Sequence, residues 1–590
     1  MGAIFIGSYI IVIRHRKRFN KIKWIIANEN EELSKDIAHQ FCLDPIIAQL
    51  LINRGLKEPK DIEDFLNPKL DDLINPFTFQ GMTRTVERIK EALYKQEKIL
   101  IYGDYDVDGI TSTSLLFSAL SIFSSNIYYY IPNRFEEGYG ISQEGIKFAI
   151  KYHISLIITV DCGITSHQEI KQLSDMDIDT IVTDHHEPLG KLPEAYSIIN
   201  PKSCDYSFKD LAGVGVAFKL AQALFTVLEK ANEAIYEHLD LVALGTIADS
   251  VPLLGENRIL VKYGLNRLIN SGKKGLIRLL EHSNYENLSN PLLVRDISFG
   301  LIPILNSTGR IGNPKHAVDL LLTDSSYRAN YLVNEMLELN EERKKITQKV
   351  LLEAKKMAYD LNLKNKQKIL VLSSSHWHPG VIGIVASRIM EEFAQPVIMI
   401  SVSNGIGKGS GRNQGEFDFS KILPECSDLL VKYGGHQYAA GLTISENRIA
   451  LFRKTLNQIL EDNKNINRHN EPIMKIDTSI ALDKMNWSFL KFMEKLRPFG
   501  PGNPQPIFGG YKFPIVSWRK VGKEEKHLKL RLGKKGTNFD GIAFQMAERC
   551  QHIMSDNMIN VAFHLGVNCW NGKESIQLMI KDIQSTVRRI

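Results

Sequence analysis

Cysteine is scarce in this chain: six residues in 590, Cys42, Cys162, Cys204, Cys426, Cys550 and Cys569, with no Cys-x-x-Cys pair among them. That spacing excludes a thiolate zinc site and a disulfide framework, and it fits reduced thiols in a cytoplasmic protein. Long apolar runs are missing as well. Residues 3–13 are apolar but too few to span a bilayer, and their basic cluster follows them, the reverse of a secretory signal. Nor is there a chain-wide excess of positive charge. The formal net charge of +6 is matched by Arg14, Arg16, Lys17, Arg18, Lys21 and Lys23, which stand in residues 1–25 without an acid. The remainder is balanced, so a polyanion could be held only by a local patch. Residues 1–25 are expected to be a basic, disordered extension. Between Pro314 and Pro379 there is neither glycine nor proline, which excludes a loop-rich segment and predicts long charged helices over 325–361.

With 44% hydrophobic and 24% charged residues the chain has an ordinary globular composition, and its length calls for three or four domains. The most informative stretch is Ile99-Leu100-Ile101-Tyr102-Gly103-Asp104-Tyr105-Asp106-Val107-Asp108-Gly109. An apolar run predicts a buried strand, and the hydroxyl-rich residues from Thr111 predict a helix. Asp104, Asp106 and Asp108 would then crowd the carboxyl end of a strand, where open α/β sheets bind ligands. Such a cluster suits a hard cation, Mg²⁺ or Mn²⁺, or else is a solvated acidic turn. An EF-hand is excluded, since its twelfth position is Leu115 and a strand precedes the loop.

Further strands are predicted at 127–131, 156–160, 180–183 and 197–199, with helical patterns between them, the rhythm of a mainly parallel sheet. Two of these strands also run into polar groups: Asp161-Cys162-Gly163 and Asp184-His185-His186-Glu187. Asp249 follows an apolar helical run. Each acid alone could be no more than a helix cap. Together they bring carboxylates and imidazoles to one sheet edge.

In these residues the chain resembles the DHH phosphoesterases, and within them the RecJ single-strand-specific exonucleases. Gly-Asp-Tyr-Asp-Val-Asp-Gly, Val-Asp-Cys-Gly, Thr-Asp-His-His and Gly-Thr-Ile-Ala-Asp resemble four successive metal motifs of that family. The resemblance implies two divalent cations, Mn²⁺ or Mg²⁺. Asp106, Asp108, Asp161, His185 and Asp249 fall on ligand positions, with Asp161 bridging. Tyr102 stands where small-molecule relatives have a histidine, so Asp104 is the candidate substitute ligand. His186 is free to touch a phosphate oxygen or pass a proton.

Asn306-Ser307-Thr308-Gly309-Arg310-Ile311-Gly312-Asn313 reads either as an anion-holding turn, using backbone amides and a guanidinium, or as a plain surface turn. Gly405-Ile-Gly-Lys-Gly-Ser-Gly-Arg412 fails the Walker A pattern but resembles the family's phosphate loop, and Gly434-Gly435-His436 resembles its Gly-Gly-His signature. His376 and His378 are read as capping and packing residues. In His527-Leu-Lys-Leu-Arg-Leu532 the leucines alternate with His527, Lys529 and Arg531. With Trp518, Lys520, Lys523 and Lys526 this fits either a groove for single strands or an ordinary solvated strand face.

The fold expected is α/β: a DHH parallel-sheet domain, a long connecting helix, a DHH-associated α/β domain and a C-terminal OB-like β-barrel. Boundaries are placed at 1–25 for the extension, 26–95 for a helical subdomain, 96–260 for the DHH domain, 261–364 for the connector, 365–465 for the DHH-associated domain and 470–590 for the barrel. By resemblance the chain is a metal-dependent exonuclease that degrades single-stranded DNA from the 5′ end to 5′-mononucleotides, in DNA repair and recombination. Arg134, Arg310, Ser410, Arg412, Gly435 and His436 are its expected phosphate contacts, and Lys529 and Arg531 its strand contacts. Its expected partners are single-stranded DNA, a single-strand-binding protein and a RecQ-type helicase, with no membrane and a monomeric state. The alternatives are a DHH phosphodiesterase for short oligonucleotides or cyclic dinucleotides, and a non-enzymatic DHH scaffold of a replication complex.

Overall fold

Five short apolar runs form a parallel sheet: β1 (Ile99–Gly103), β2 (Ile127–Tyr130), β3 (Leu156–Val160), β4 (Asp179–Thr183) and β5 (Ser197–Ile199), in the spatial order β2-β1-β3-β4-β5. Every residue of β1 and β3 is buried, as a sheet covered on both faces requires. Ile99, Ile101 and Ile158 enter the core on one side, Leu100, Tyr102 and Ile157 the core on the other. From β1 the chain steps outward to β2 and then crosses back to β3. The carboxyl ends of β1 and β3 therefore flank the crevice where such a sheet binds its ligand. Helices α1 (Val107–Ser121), α2 (Gln143–Tyr152), α3 (Gly213–Val227) and α4 (Leu239–Asp249) follow these strands.

The computed structural model describes residues 22–188, 190–282, 292–364, 367–463, 473–534, 536–570 and 572–586. Residues 1–21 of the predicted extension lie outside them. The chain forms two units, the larger made of residues 67–468 with Pro498–Pro504. It holds the sheet above, α5 (Ile302–Ile311), the 39-residue α6 (Ser326–Lys364), α7 (Ile382–Phe393) and a second sheet. That sheet contains β6 (Leu370–Ser374), β7 (Val397–Ser403), β8 (Ile406–Arg412), β9 (Leu430–Gly435) and β10 (Ala439–Ser445), ordered β9-β10-β8-β7-β6.

Two predicted loops are regular elements instead. Asn306 to Ile311 lies within helix α5, so its amides are spent on the helix and only the Arg310 side chain can meet an anion. Gly309 is there for packing: a Cβ would lie 2.4 Å from the Tyr105 carbonyl oxygen. The glycine-rich 406–412 is strand β8. Gly407, Gly409 and Gly411 face Ile400, Leu442 and Phe419, each too close for a Cβ, while Lys408, Ser410 and Arg412 alternate onto the other face.

The smaller unit joins both ends of the chain, residues 22–66 with 473–497 and 505–586. The helical stretch 26–95 is thus divided, with Met82–Tyr94 belonging to the larger unit. Strand Lys23–Ile26 pairs in parallel with Ile473–Ile476, and Asn53 Nδ2 donates to the Asp477 carbonyl at 2.7 Å. Strands Phe508–Val521, His527–Lys534, Thr537–Ala543, Lys573–Ser585 and Met558–Trp570 close into a barrel, the last pairing back to the first. Leu528, Leu530 and Leu532 are buried inside it, as the alternation predicts. Among the described residues no helix is long and apolar enough to cross a membrane.

Buried Asp582 accepts a hydrogen bond from Trp24 Nε1 at 2.8 Å and pairs with Arg549. Asp582→Ala should strip both donors of their acceptor and cost about 3 kcal/mol, toward the low end because Arg549 keeps some solvent. Urea denaturation followed by tryptophan fluorescence checks this, and a cost under about 1 kcal/mol would deny the pair a structural role.

Candidate metal centre

The loop after β1 is folded back on itself by its own carboxylates. Asp106 caps α1, its Oδ1 accepting the N–H groups of Asp108 at 2.9 Å and Gly109 at 3.2 Å. Gly109 is obligatory, since a Cβ would lie 2.5 Å from the Asp104 carbonyl oxygen. Asp108 reaches the start of α3, where Gly213 N–H donates to Oδ2 at 2.7 Å and Val214 N–H to Oδ1 at 2.9 Å. The positive end of that helix suits the carboxylate. Asp161 follows β3 with φ of 61°, a conformation costly for a residue with a side chain and found where a site demands it. Gly213 again makes room, because a Cβ there would lie 2.5 Å from Asp161 Oδ1.

The turn after β4 divides its three polar residues by task. Asp184 faces inward and accepts the N–H groups of His185 (2.7 Å), His186 (3.0 Å) and Ile164 (3.0 Å), with His186 Nδ1 at 2.7 Å. It organises the turn. His185 contacts the Leu211 backbone and sets its Nε2 at 3.2 Å from Asp161, 3.6 Å from Asp249 and 3.9 Å from Asp108. A histidine fixed by backbone on one side and aimed at carboxylates on the other has the posture of a metal ligand. Burial pushes its pKa down to about 3, so the ring is neutral and able to ligate.

Electrostatics supports that use. Burial, then mutual repulsion, raises the pKa of Asp104, Asp108 and Asp161 well above the ordinary range, and that of Asp249 to about 6. Asp104 Oδ1, Asp161 Oδ1 and His185 Nε2 are buried and without a hydrogen-bond partner. Ligand atoms of Asp104, Asp106 and Asp161 lie within 4.8 Å of one another, as do those of Asp108, His185 and Asp249 and those of Asp161, His185 and His186. Asp161 belongs to the first and third of these groups, and its Oδ1 lies 3.2 Å from His185 Nε2 of the second. Oxygen-rich, unpartnered and self-repelling, this donor set fits hard divalent cations. Tyr102, by contrast, is packed away, its hydroxyl donating to the Gly140 carbonyl.

The cluster opens into a cavity of about 310 Å³ lined by Asp104, Asp106, Tyr139, His186, Asn306, Arg134 and Arg310. Arg134, His186 and Arg310 also line a second cavity of about 750 Å³, which continues to Ser410, Arg412, Gly435 and His436. Burial and the neighbouring Arg134, Arg343 and Arg412 bring the Arg310 pKa down to about 10; burial and Arg134 lower that of Arg412. Clustered, desolvated guanidiniums await an anion. Lys529 and Arg531 belong to the smaller unit, half-exposed on its barrel and sharing Asp540 at 3.6 and 3.7 Å. His378 packs, accepting the Gly380 N–H at 3.1 Å and meeting Phe135 edge-on.

Some site residues escape sequence reasoning. The glycine pair opening α3, Ala212-Gly213-Val214-Gly215, is a visible signal, since it starts a helix without a capping side chain. Tyr139, whose hydroxyl lies 3.0 Å from His186 Nδ1, offers no such signal.

A parallel sheet with this carboxylate and imidazole cluster at its switch point defines a DHH protein. The DHH family N-terminal domain model matches residues 98–246, the DHHA1 domain 366–462 and the RecJ OB domain 476–582. Single-stranded-DNA-specific exonuclease RecJ of Bacillus subtilis is 37% identical over 95% of this chain and 71% of its own length, and that of Escherichia coli 36% over 92% and 96%. The crystal structure of RecJ in complex with Mn²⁺ from Thermus thermophilus, 29% identical, superposes with a TM-score of 0.82 over 96% of this chain and 80% of that one. Its Mg²⁺ complex gives 0.75 at 28% identity over 96% and 79%. The chain belongs to the RecJ family.

Divalent cations should stabilise the larger unit by mass action, by about 2.7 kcal/mol at a hundredfold excess over Kd. Gly213→Ala, which drives a methyl onto Asp161, should abolish most of that gain. The check is the Mn²⁺-induced rise in Tm; an equal rise in wild type and variant would exclude Asp161 from cation binding.

Proposed function

We propose that this chain is a single-strand-specific exonuclease that removes 5′-mononucleotides from the 5′ end of DNA. The observation that carries the reading is a pair of cavities that share Arg134, His186 and Arg310, one lined by the carboxylates Asp104 and Asp106 and the other reaching Ser410 and Arg412. Two cations, Mn²⁺ or Mg²⁺, held by Asp104, Asp106, Asp108, Asp161, His185 and Asp249, would lower the pKa of a water molecule and offset negative charge at phosphorus. Family membership supports the substrate and the Mn²⁺- and Mg²⁺-bound relatives support the ions.

The chain's own residues place the strand. Arg134 and Arg310 face both cavities, so a scissile phosphodiester over the carboxylates leaves the 5′-terminal phosphate to Arg412 and Ser410. Gripping the end while cleaving one nucleotide inward makes the enzyme end-dependent and its step a single nucleotide. The water oxygen bonds to phosphorus as the bond to the terminal nucleotide's O3′ breaks. His186 is suited to protonate that oxygen or hold a non-bridging one. Burial lowers its pKa, but the hydrogen bond and charge of Asp184 outweigh this and lift it to about 9. With Nδ1 committed to Asp184, the proton to give sits on Nε2.

On the barrel, exposed Phe544 meets His527 edge-on in the strand whose solvent face carries Lys529 and Arg531, and exposed Trp518 pairs with Leu530 of that strand. Stacking and phosphate contacts of that kind suit unpaired strands. The residue assignments, the polarity, and a single-strand-binding protein and a RecQ-type helicase as partners belong to the same proposal.

End-labelled single-stranded and duplex DNA, incubated with Mn²⁺, Mg²⁺ or EDTA, tests the activity. Asp161→Ala should abolish essentially all cleavage while single-strand binding persists; substantial residual rate would remove Asp161 from the bridging position.

Polarity has its own test. Wild type should prefer a 5′-phosphate over a 5′-hydroxyl end, and Arg412→Ala should erode that preference by about 1.5–3 kcal/mol in kcat/KM. Lysine should rescue only partly, since a point charge does not reproduce a bidentate fork. An unchanged ratio would take Arg412 out of the terminal pocket.

A further inference from the structure

Among the proposed ligands, Asp249 is partly exposed and has no hydrogen bond contributing at its carboxylate. Asp108 is held by two backbone amides and Asp106 by its own cap. The Asp249 carboxylate is set among burial and the charges of Asp106, His186 and Lys202, with no hydrogen bond contributing. Its side chain is 27% exposed, against 2% for Asp108 and 7% for His185. Its position therefore depends on its backbone. That backbone is the last residue of α4, followed by left-handed Ser250 and a short turn into the helix Gly255–Ile269.

The turn is gripped from two sides. Asn257 Nδ2 donates to the Pro252 carbonyl at 3.0 Å. The Leu253 N–H donates to the Pro501 carbonyl at 2.8 Å. Pro501 belongs to a loop, Pro498–Pro504, that lies in the catalytic unit although the sequence on both sides of it belongs to the barrel unit. The loop is self-locked. Gly500 and Asn503 exchange both backbone hydrogen bonds, at 2.9 and 3.1 Å, and fully buried Asn503 donates Nδ2 to the Pro498 carbonyl at 2.8 Å. Its glycines admit the turn: a Cβ on Gly500 would lie 2.6 Å from Leu253 Cδ1, and one on Gly502, at φ of +74°, 3.0 Å from Pro252 Cβ.

We infer that Pro498–Pro504 is a strut that positions Asp249, with Asn503 as its positioning residue, so that the barrel's own connecting chain tunes affinity at the metal centre. This rests on the proposed role of Asp249 as a ligand. Supports that orient a ligand are worth roughly 10–100-fold in metal affinity.

The test uses full-length protein with Asn503→Ala, which unlocks the loop, and Gly502→Ala, which presses a methyl on Pro252. Calorimetric titration with Mn²⁺ should show a dissociation constant raised about tenfold in each. Amide exchange over residues 250–254 of the metal-free protein should speed up, while single-strand binding in EDTA stays at the wild-type level. Saturating Mn²⁺ should return kcat to near wild type. Folded variants with wild-type Mn²⁺ affinity and exchange overturn the strut, as does a fall in Tm or strand binding without a change in Mn²⁺ affinity. If Asn503→Ala does not fold, Gly502→Ala decides alone. Asp249→Asn separates the premises: Mn²⁺ binding equal to wild type there overturns the ligand role itself, whereas weakened binding there with wild-type affinity in the strut variants overturns only the strut.

Discussion

Carboxylates gathered at the switch point of a parallel sheet repel one another, and the surrounding architecture answers that repulsion. Asp108 is given a helix N-terminus, Asp184 a set of amides and an imidazole, and Asp106 the cap of α1. What these contacts leave unpaid is concentrated on Asp104, Asp161 and His185, whose buried atoms lack partners. A desolvated, unpartnered carboxylate is among the costliest things a fold can bury. Its retention at this edge makes sense when a cation completes the set.

Close approach is bought with glycine. Gly109, Gly213, Gly245 and Gly309 each stand where a methyl would collide with a carboxylate, a hydroxyl or the backbone that carries one. These are packing glycines in or beside helices, and they explain why sequence patterns mislead locally. A glycine in Asn306–Asn313 signals a turn by propensity, yet here it lets helix α5 lie against Tyr105. The alternating glycines of 406–412 suggest a loop, yet every second residue is polar, the period of a strand.

Other features were legible. Strands β1 to β5 stand within a residue or two of where apolar runs place them, because burial on both faces leaves an uninterrupted signal. Asp104, Asp161, His185 and His186 were visible at or just past strand ends, and Asp249 at the end of an apolar helical run. The barrel strand carrying Lys529 and Arg531 alternates as its leucines demand, though nothing announced that Asp540 would share their charge. Least legible was the pairing of the chain's two ends. Lys23–Ile26 is four residues long and sits beside a basic cluster, and no local pattern can name a partner some 450 residues away.

That pairing has a consequence in time. Trp24 meets Asp582 across 558 residues of sequence, so a ribosome adding 5–20 residues per second needs about half a minute to two minutes between making the two. Through that interval the helices of residues 31–66 have no finished barrel to join, and the larger unit too awaits its last piece, Pro498–Pro504. The unit first begun is the last to close.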